Sequence, residues 1–327
     1  MIEKVMRRVL ALPHQIPGYV ATTRRLRSRS IAVLAYHGLV REPLPVFNWC
    51  QLSVNEFEKQ IDFLSREYVL LPLTEIIERI GRGAPLPRAT ACLTFDDGFR
   101  SVRTLASPIL ERYQLPASVF LVTSLIGTDQ PAWPDKIFEM FVATSQNSMT
   151  FQGKRLSLDT RADRASAYAV VVERLKTMEV QEKDDCLAEL RDKLGWRPVS
   201  PDSPLATLDW SEIEEMANSG LFEFGSHTHT HQILSRCSPQ RQAEELSVSR
   251  EILRERLRKA DLFAYPNGRR QDFSDDTKGL LRQTGYRCAV CTIPGLQPAK
   301  GDLYEIRRVN IGADTSFEQF ELRMAGL

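Results

Sequence analysis

Short apolar runs alternate with amphipathic segments along most of this chain, and that alternation constrains the fold more than any other feature. IAVLAYH (31–37), VLLPL (69–73), ATACLTF (89–95), ASVFLVT (117–123), FEFGSH (222–227), DLFAYP (261–266), RCAVCT (287–292) and YEIRRVNI (304–311) read as strands. SVNEFEKQIDFLSREY opens on Ser53 with Glu56 three residues on, the spacing of a capping box. TEIIERIG (from Thr74), SVRTLASPILERYQ, WSEIEEMANSG, PQRQAEELSVSREILRERL (after Ser238) and DDTKGLLRQTG read as helices. Repeated strand–helix units predict a parallel sheet covered by helices, either open or closed into a barrel. No Gly-rich phosphate loop follows any strand, which argues against a dinucleotide-binding sheet. A barrel would carry its chemistry at the carboxyl ends of the strands.

Residues 128–206 break the rhythm. PAWPDKIFEMFVATSQ reads as a helix, SMTFQGKRLSLD as a hairpin around Gly153, and 161–195 as one or two helices. This stretch is expected to be an insertion on the barrel domain (31–327), a cap facing the substrate. Residues 1–30 carry seven Lys/Arg against one acid, a basic extension able to contact an anionic membrane surface. The whole chain has a formal net charge of +1, so no bulk nucleic-acid binding is expected. No run approaches the ~20 apolar residues of a membrane span, and no signal-peptide core is evident, so the expected location is the cytoplasm. The six cysteines are scattered, and the single C-x-x-C pair, Cys288 and Cys291, makes no zinc site alone. Reduced, mostly buried thiols are expected.

The chemistry concentrates in two short stretches. TFDDG places Asp96 and Asp97 side by side at a strand end, before Gly98. GSHTHTH holds three of the five histidines, with His227 and His231 four residues apart and His229 pointing elsewhere. Two imidazoles and a carboxylate form a ligand set for a divalent metal with open positions. Asp97 is the candidate carboxylate, and Asp96 is then a free base, as metal-assisted hydrolysis requires.

LTFDDG, GSHTHTH and FAYPNG, in this order and spacing, resemble the polysaccharide deacetylase family, carbohydrate esterase family 4. The likeness runs from about residue 30 to 315. It implies an α/β fold, a distorted (β/α) barrel here with a helical insertion, that removes acetyl groups from N-acetylated sugars with a divalent metal, usually zinc. It assigns Asp96 as base and Asp97, His227 and His231 as metal ligands. Asn267 would give its backbone N–H to the oxyanion, beside Tyr265 and Pro266 in the groove wall, and Trp210 would be structural.

Two departures stand out. The family's third motif carries an Arg that pairs with the base, whereas Ala264 stands here, and no His follows His231 to act as general acid. Arg308 is the candidate partner for Asp96. His37, at the end of the first strand, is the candidate acid or substrate contact. Trp133, Asp135 and Arg100 are further candidate substrate contacts. The leading expectation is a deacetylase acting on a polysaccharide, an oligosaccharide, or a lipid- or nucleotide-linked glycan precursor. A deformylase of modified sugars and an inactive metal- and glycan-binding relative are the alternatives. Oligomeric state is not legible.

Overall fold

The computed structural model describes residues 18–327. Seven strands form its centre: β1 (Ala32–Tyr36), β2 (Thr90–Phe95), β3 (Ala117–Leu121), β4 (Phe222–Ser226), β5 (Leu262–Ala264), β6 (Cys288–Pro294) and β7 (Ile306–Asn310). Each pairs in parallel with the next, and β1 pairs with both β2 and β7, so the ring closes in chain order. The strand–helix pattern alone fits open sheet or barrel, and this double pairing of β1 makes it the barrel that the family resemblance implies. β1, β2 and β3 are buried along their whole length, which is why they read as unbroken apolar runs rather than alternating ones.

Helices cover the outside of the ring: α1 (Tyr19–Leu26), α2 (Val54–Glu67), α3 (Leu73–Gly81), α4 (Ser107–Tyr113), α8 (Trp210–Asn218), α9 (Pro239–Leu257), α10 (Asp275–Thr284) and α11 (Phe317–Met324). The barrel core joins Leu34, Leu93, Val119 and Phe224 of the strands to Phe57, Ile61 and Leu64 of α2 and Phe320 of α11. Asp209, Ser274 and Ser316 cap α8, α10 and α11 with reciprocal side-chain and backbone bonds. Trp210 packs against the barrel core, with the Arg256 guanidinium over its ring.

Residues 128–206 build a cap of three helices and a hairpin: α5 (Trp133–Ala143), strands Ser148–Phe151 and Lys154–Ser157, α6 (Arg161–Leu175) and α7 (Val180–Leu194). It has its own apolar cluster, including Ile137, Phe141, Val171, Leu175 and Leu190.

Several local expectations change. Ser53 precedes α2 but its hydroxyl makes no cap bond, so the capping box there is not formed. VLLPL contributes only Val69–Leu70 as strand, and α3 starts at Leu73 behind Pro72 rather than at Thr74. The segment after Asp97 begins with one wide π-helical turn, Val102–Ala106, before α4. A small parallel pair (Gly38–Val40 with Gln51–Ser53) and α11 carried no clear signal. All six thiols are unpaired, with Cys92, Cys237, Cys288 and Cys291 buried. Residues 1–17 of the basic extension lie outside the described residues. Arg24 is paired with Glu67 and Arg27 with the Gly326 carbonyl. Among the described residues, no helix is long and apolar enough to cross a membrane.

Candidate active site

The carboxyl ends of the strands open into a cavity of about 600 Å³. Strand register brings its residues together. Tyr36 of β1 stands opposite Phe95 of β2, so the next residues, His37 and Asp96, emerge at the same level. The Asp96 amide donates to the Tyr36 carbonyl at 3.0 Å, which holds them there.

Asp96 and Asp97 point to different surroundings. Asp96 is 2% exposed and takes two parallel bonds from Arg308, Nη1 to Oδ1 at 2.8 Å and Nη2 to Oδ2 at 2.6 Å. Arg308 projects from β7 into the barrel, is fully buried, and also bonds the Thr94 hydroxyl and the Cys291 carbonyl. Burial raises the Asp96 pKa, but the Arg308 charge and its bonds outweigh this and hold the carboxyl below its usual range.

Asp97 has no such partner. Its Oδ1 lies 3.2 Å from His231 Nε2 and 3.5 Å from His227 Nε2, without receiving a hydrogen bond of proper geometry. One ligand atom from each of the three residues lies within 4.8 Å of the others. His227 Nδ1 is 2.8 Å from the Ala264 carbonyl, which makes it the protonated nitrogen and leaves the Nε2 lone pair facing Asp97. Burial pushes His227 down to about 4, so its ring is neutral near pH 7. An orphaned buried carboxylate oxygen facing a neutral, oriented imidazole and a second imidazole fits a divalent cation held by mixed N/O donors. Burial raises the Asp97 pKa, and the two imidazoles outweigh it to bring the carboxyl well below normal.

The loops that carry these groups are strained. Asp97, Thr228, His231 and Asn267 all have φ between 59° and 70°. Left-handed backbone at non-glycine residues costs on the order of 1–3 kcal/mol each, so something must hold each one. Gly98 follows in the same region, and a Cβ there would meet Leu121 Cδ2 at 2.8 Å. Glu245 of α9, 1% exposed, accepts from the amides of His229 and Thr230 and from the Thr230 hydroxyl, and is ion-paired with Arg241, pinning the histidine loop. His229 turns to Thr123, away from the ligand cluster. Asp272 receives the Asn267 side-chain amide and the Arg269 N–H, and Thr292 donates to the Asn267 carbonyl.

Of the candidate residues, His37, Asp96, Asp97, Trp133, Asp135, His227, His231 and Asn267 line the cavity, and Arg308 lies beneath it on Asp96. Asp135 is buried at the start of α5, and burial, with the nearby Asp97 charge adding to it, lifts its carboxyl well above the usual range. Three candidates lie elsewhere. Tyr265 stacks on Phe273 at 4.1 Å and donates to the Tyr304 carbonyl, so it is a core residue. Side chains alternate along a strand: Ala264 clusters with Cys92 and Val290 of other strands, and Tyr265 with Leu246 and Leu281 of the helices. Pro266 is buried beneath the turn and does not line the cavity. Arg100 pairs with Glu212 and Asp209 at the start of α8, a structural bond rather than a substrate contact.

The cavity also holds residues the sequence reading passed over: Asn48, Trp49, Tyr168, Lys176 and Arg269. They sit on a loop and on the cap, where no periodicity marks a functional face. Glu245 had a weak signal, since Gln242, Glu245 and Ser249 put polar groups on a buried helix stripe.

The sequence profile described as polysaccharide deacetylase matches residues 83–289. The protein YxkH of Bacillus subtilis strain 168 is 28% identical over 110 residues, which is 33% of this chain and 38% of that protein. The poly-beta-1,6-N-acetyl-D-glucosamine N-deacetylase of Staphylococcus epidermidis is 34% identical over 74 residues, 22% of this chain and 25% of that enzyme. The chain therefore spans well under half the length of these two relatives. Among solved structures, the Streptococcus pyogenes deacetylase PplD in complex with acetate superposes with a TM-score of 0.60 at 20% identity, covering 90% of this chain and 98% of that one. At that identity the likeness speaks for the fold.

Proposed function

The chain belongs to the polysaccharide deacetylase family, and from that premise we propose that it is a divalent-metal hydrolase, with zinc as the metal, that removes the N-acetyl group from an N-acetylated glycan or glycan precursor. The observation that carries this reading is the opposite treatment of two adjacent carboxylates. Asp96 is locked as an anion by Arg308, and Asp97 faces two imidazoles.

In this reading Asp97, His227 and His231 hold the metal. When bound, it polarises the amide carbonyl and makes an attacking water more acidic. Asp96 takes the proton from that water, and the Arg308 fork keeps its carboxylate ionised and aimed. The Asn267 backbone N–H faces the oxygen on which negative charge develops, fixed in place by Asp272 and Thr292. His37 gives a proton to the leaving amine, taking the place of the absent late histidine. Its ring stands edge-on to Trp49 at the cavity wall. Arg308 takes the place of the arginine missing at Ala264.

The test pairs elemental analysis with acetate release from N-acetylglucosamine oligomers, for wild type and Asp96→Asn. The expected outcome is bound metal in both proteins and a loss of at least about 10²-fold in release for the variant. Unchanged release by Asp96→Asn, or protein that binds no divalent metal, sinks the reading. Formate release from formamido sugars without acetate release would favour the deformylase alternative. We further propose that the enzyme works in the cytoplasm at the membrane face, through its basic extension. Removal of residues 1–27 should then abolish sedimentation with anionic vesicles, and undiminished sedimentation removes the idea.

A further inference from the structure

The cap is tied to loops that follow three different strands. After β1, Leu44 and Val46 pack with Phe138 and Val142 of α5 and Tyr168 of α6. After β4, the His231 carbonyl accepts from the Trp133 indole at 3.2 Å, and Gln232 accepts from the buried Lys183 of α7. After β5, Arg269 makes two bonds to Glu173 of α6, at 2.8 and 3.0 Å. The inserted segment itself leaves after β3 and returns before β4. The strands follow one another round the ring in chain order, so these ties trace an arc from β1 through β5. Outside the arc lie the ends of β6 and β7, where Thr292, Pro294 and Asn310 bound the cavity and Trp49 of the β1 loop rests on Gly312 just beyond β7.

That arrangement bears on what can enter. A groove that lets a polymer lie across it needs openings at two opposed ends. A wall round five of seven strands leaves one opening. The cavity volume, about 600 Å³, falls within the roughly 300–1,000 Å³ of small-ligand sites and suits one or two sugar rings. Trp49 and Tyr168 line the cavity with aromatic rings suited to a pyranose, and Asn48 and Asp135 offer hydroxyl partners between them.

We propose that this site takes the free end of an N-acylated glycan: one terminal aminosugar unit enters from the β6–β7 side, and interior units of a long chain are excluded. The inference rests on the deacetylase reading for its chemistry and on the cap for its geometry. Trp49 and the cap helices then set the depth of entry, and the Arg269–Glu173 pair closes the side through which a chain would otherwise run on.

Two measurements test it. A pentamer of N-acetylglucosamine is treated to low conversion, and tandem mass spectrometry locates the free amine. At least tenfold enrichment at one terminal unit is expected, and even distribution over the interior units overturns the proposal. A second pentamer, blocked at its reducing end, distinguishes the two ends: unchanged terminal release means the non-reducing end enters, and lost release means the reducing end does. Independently, calorimetry on the Asp96→Asn protein measures affinity for the monomer through the pentamer. Affinity should level off by the disaccharide, whereas steady tightening through the pentamer overturns the proposal. A plateau without turnover by wild type would keep end recognition and remove the deacetylase reading. No binding at any length together with no release would remove both. Arg269→Ala combined with Glu173→Ala should raise the interior fraction of products, and an unchanged distribution overturns the assignment of that pair as the closing wall.

Discussion

The barrel mouth and the cap hold their polar groups in different ways. At the mouth Asp96, Asp97 and His227 sit just beyond strands laddered on both sides, and the partner of Asp96 is buried within another: Asp96 and Arg308 are 2% and 0% exposed. The cap meets the barrel through scattered apolar contacts, two buried bonds to the histidine loop, and one ion pair open to water, Arg269 with Glu173, whose side chains are 45% and 51% exposed. A rigid strand end can hold atoms to the tolerance that chemistry needs, and a cap can be exchanged or reshaped without moving them. The comparison teaches that reaction and selection occupy separate layers here, joined chiefly where Trp133 touches the His231 carbonyl.

The comparison can be broken or sharpened by mutation. The largest effect is expected for His227→Ala. It should lose stoichiometric metal and reduce acetate release by more than the roughly 10–100-fold typical of a lost supporting partner. Elemental analysis and release assays check this, and a cap variant with an equal loss of metal would break the division of labour.

Next comes Arg308→Ala, which leaves a buried carboxylate without its cation. Breaking such a pair costs about 3–5 kcal/mol, read as a lowered denaturation midpoint. Because the folded Asp96 pKa is depressed, the stabilisation from this pair is present above the unfolded carboxylate value of about 3.9 and is lost as pH falls through the folded value. Denaturation of metal-free protein across acid pH should show that loss in the wild type and not in Arg308→Ala.

A smaller effect is expected for Trp133→Phe, which keeps one aromatic ring but loses the indole N–H that donates to the His231 carbonyl. Metal affinity should fall about tenfold, and the denaturation midpoint should fall modestly because the smaller ring leaves a void in the cap cluster. This variant probes the cap bond nearest the ligands, beside the Lys183–Gln232 bond to the same loop, and unchanged affinity would mean that this bond does not position His231.

The smallest stability change is expected for Arg269→Ala, under about 1 kcal/mol because the pair is exposed and screened. Its bonds to Arg269 hold the Glu173 carboxyl down to about 2. The pair's contribution is therefore present above about 4.3 and is lost as pH falls toward 2. NMR titration of Glu173 should show its pKa returning toward the normal range in Arg269→Ala, and an unmoved pKa would mean that another group holds it.

Much of the ring was legible because parallel strands buried on both faces must be apolar along their length, as AVLAY and TACLTF are. The motif histidines and aspartates were legible because ligand chemistry admits few residue types at such close spacing. Tyr265 was misplaced because a motif gives residue identity without the face it occupies. Arg100 was misplaced because a charge beside a motif looks alike whether it meets a sugar or Glu212. Trp49, Tyr168 and Arg269 were missed because each reaches the cavity from a segment with no pattern of its own.

By itself the sequence determined the strand–helix succession, the adjacent carboxylates and the paired histidines, since all of these are consequences of local pattern. The tertiary structure supplied the pairing that closes the sheet and the fork by which Arg308, a candidate from the sequence, holds Asp96 across 212 positions of chain, and it alone decided that the cap reaches from β1 to β5 over the mouth. Ring closure depends on which strand pairs with β1, and a buried ion pair depends on which side chains turn inward. Those outcomes belong to packing among distant segments, where the relevant distances are set by the whole barrel and not by neighbours in the chain.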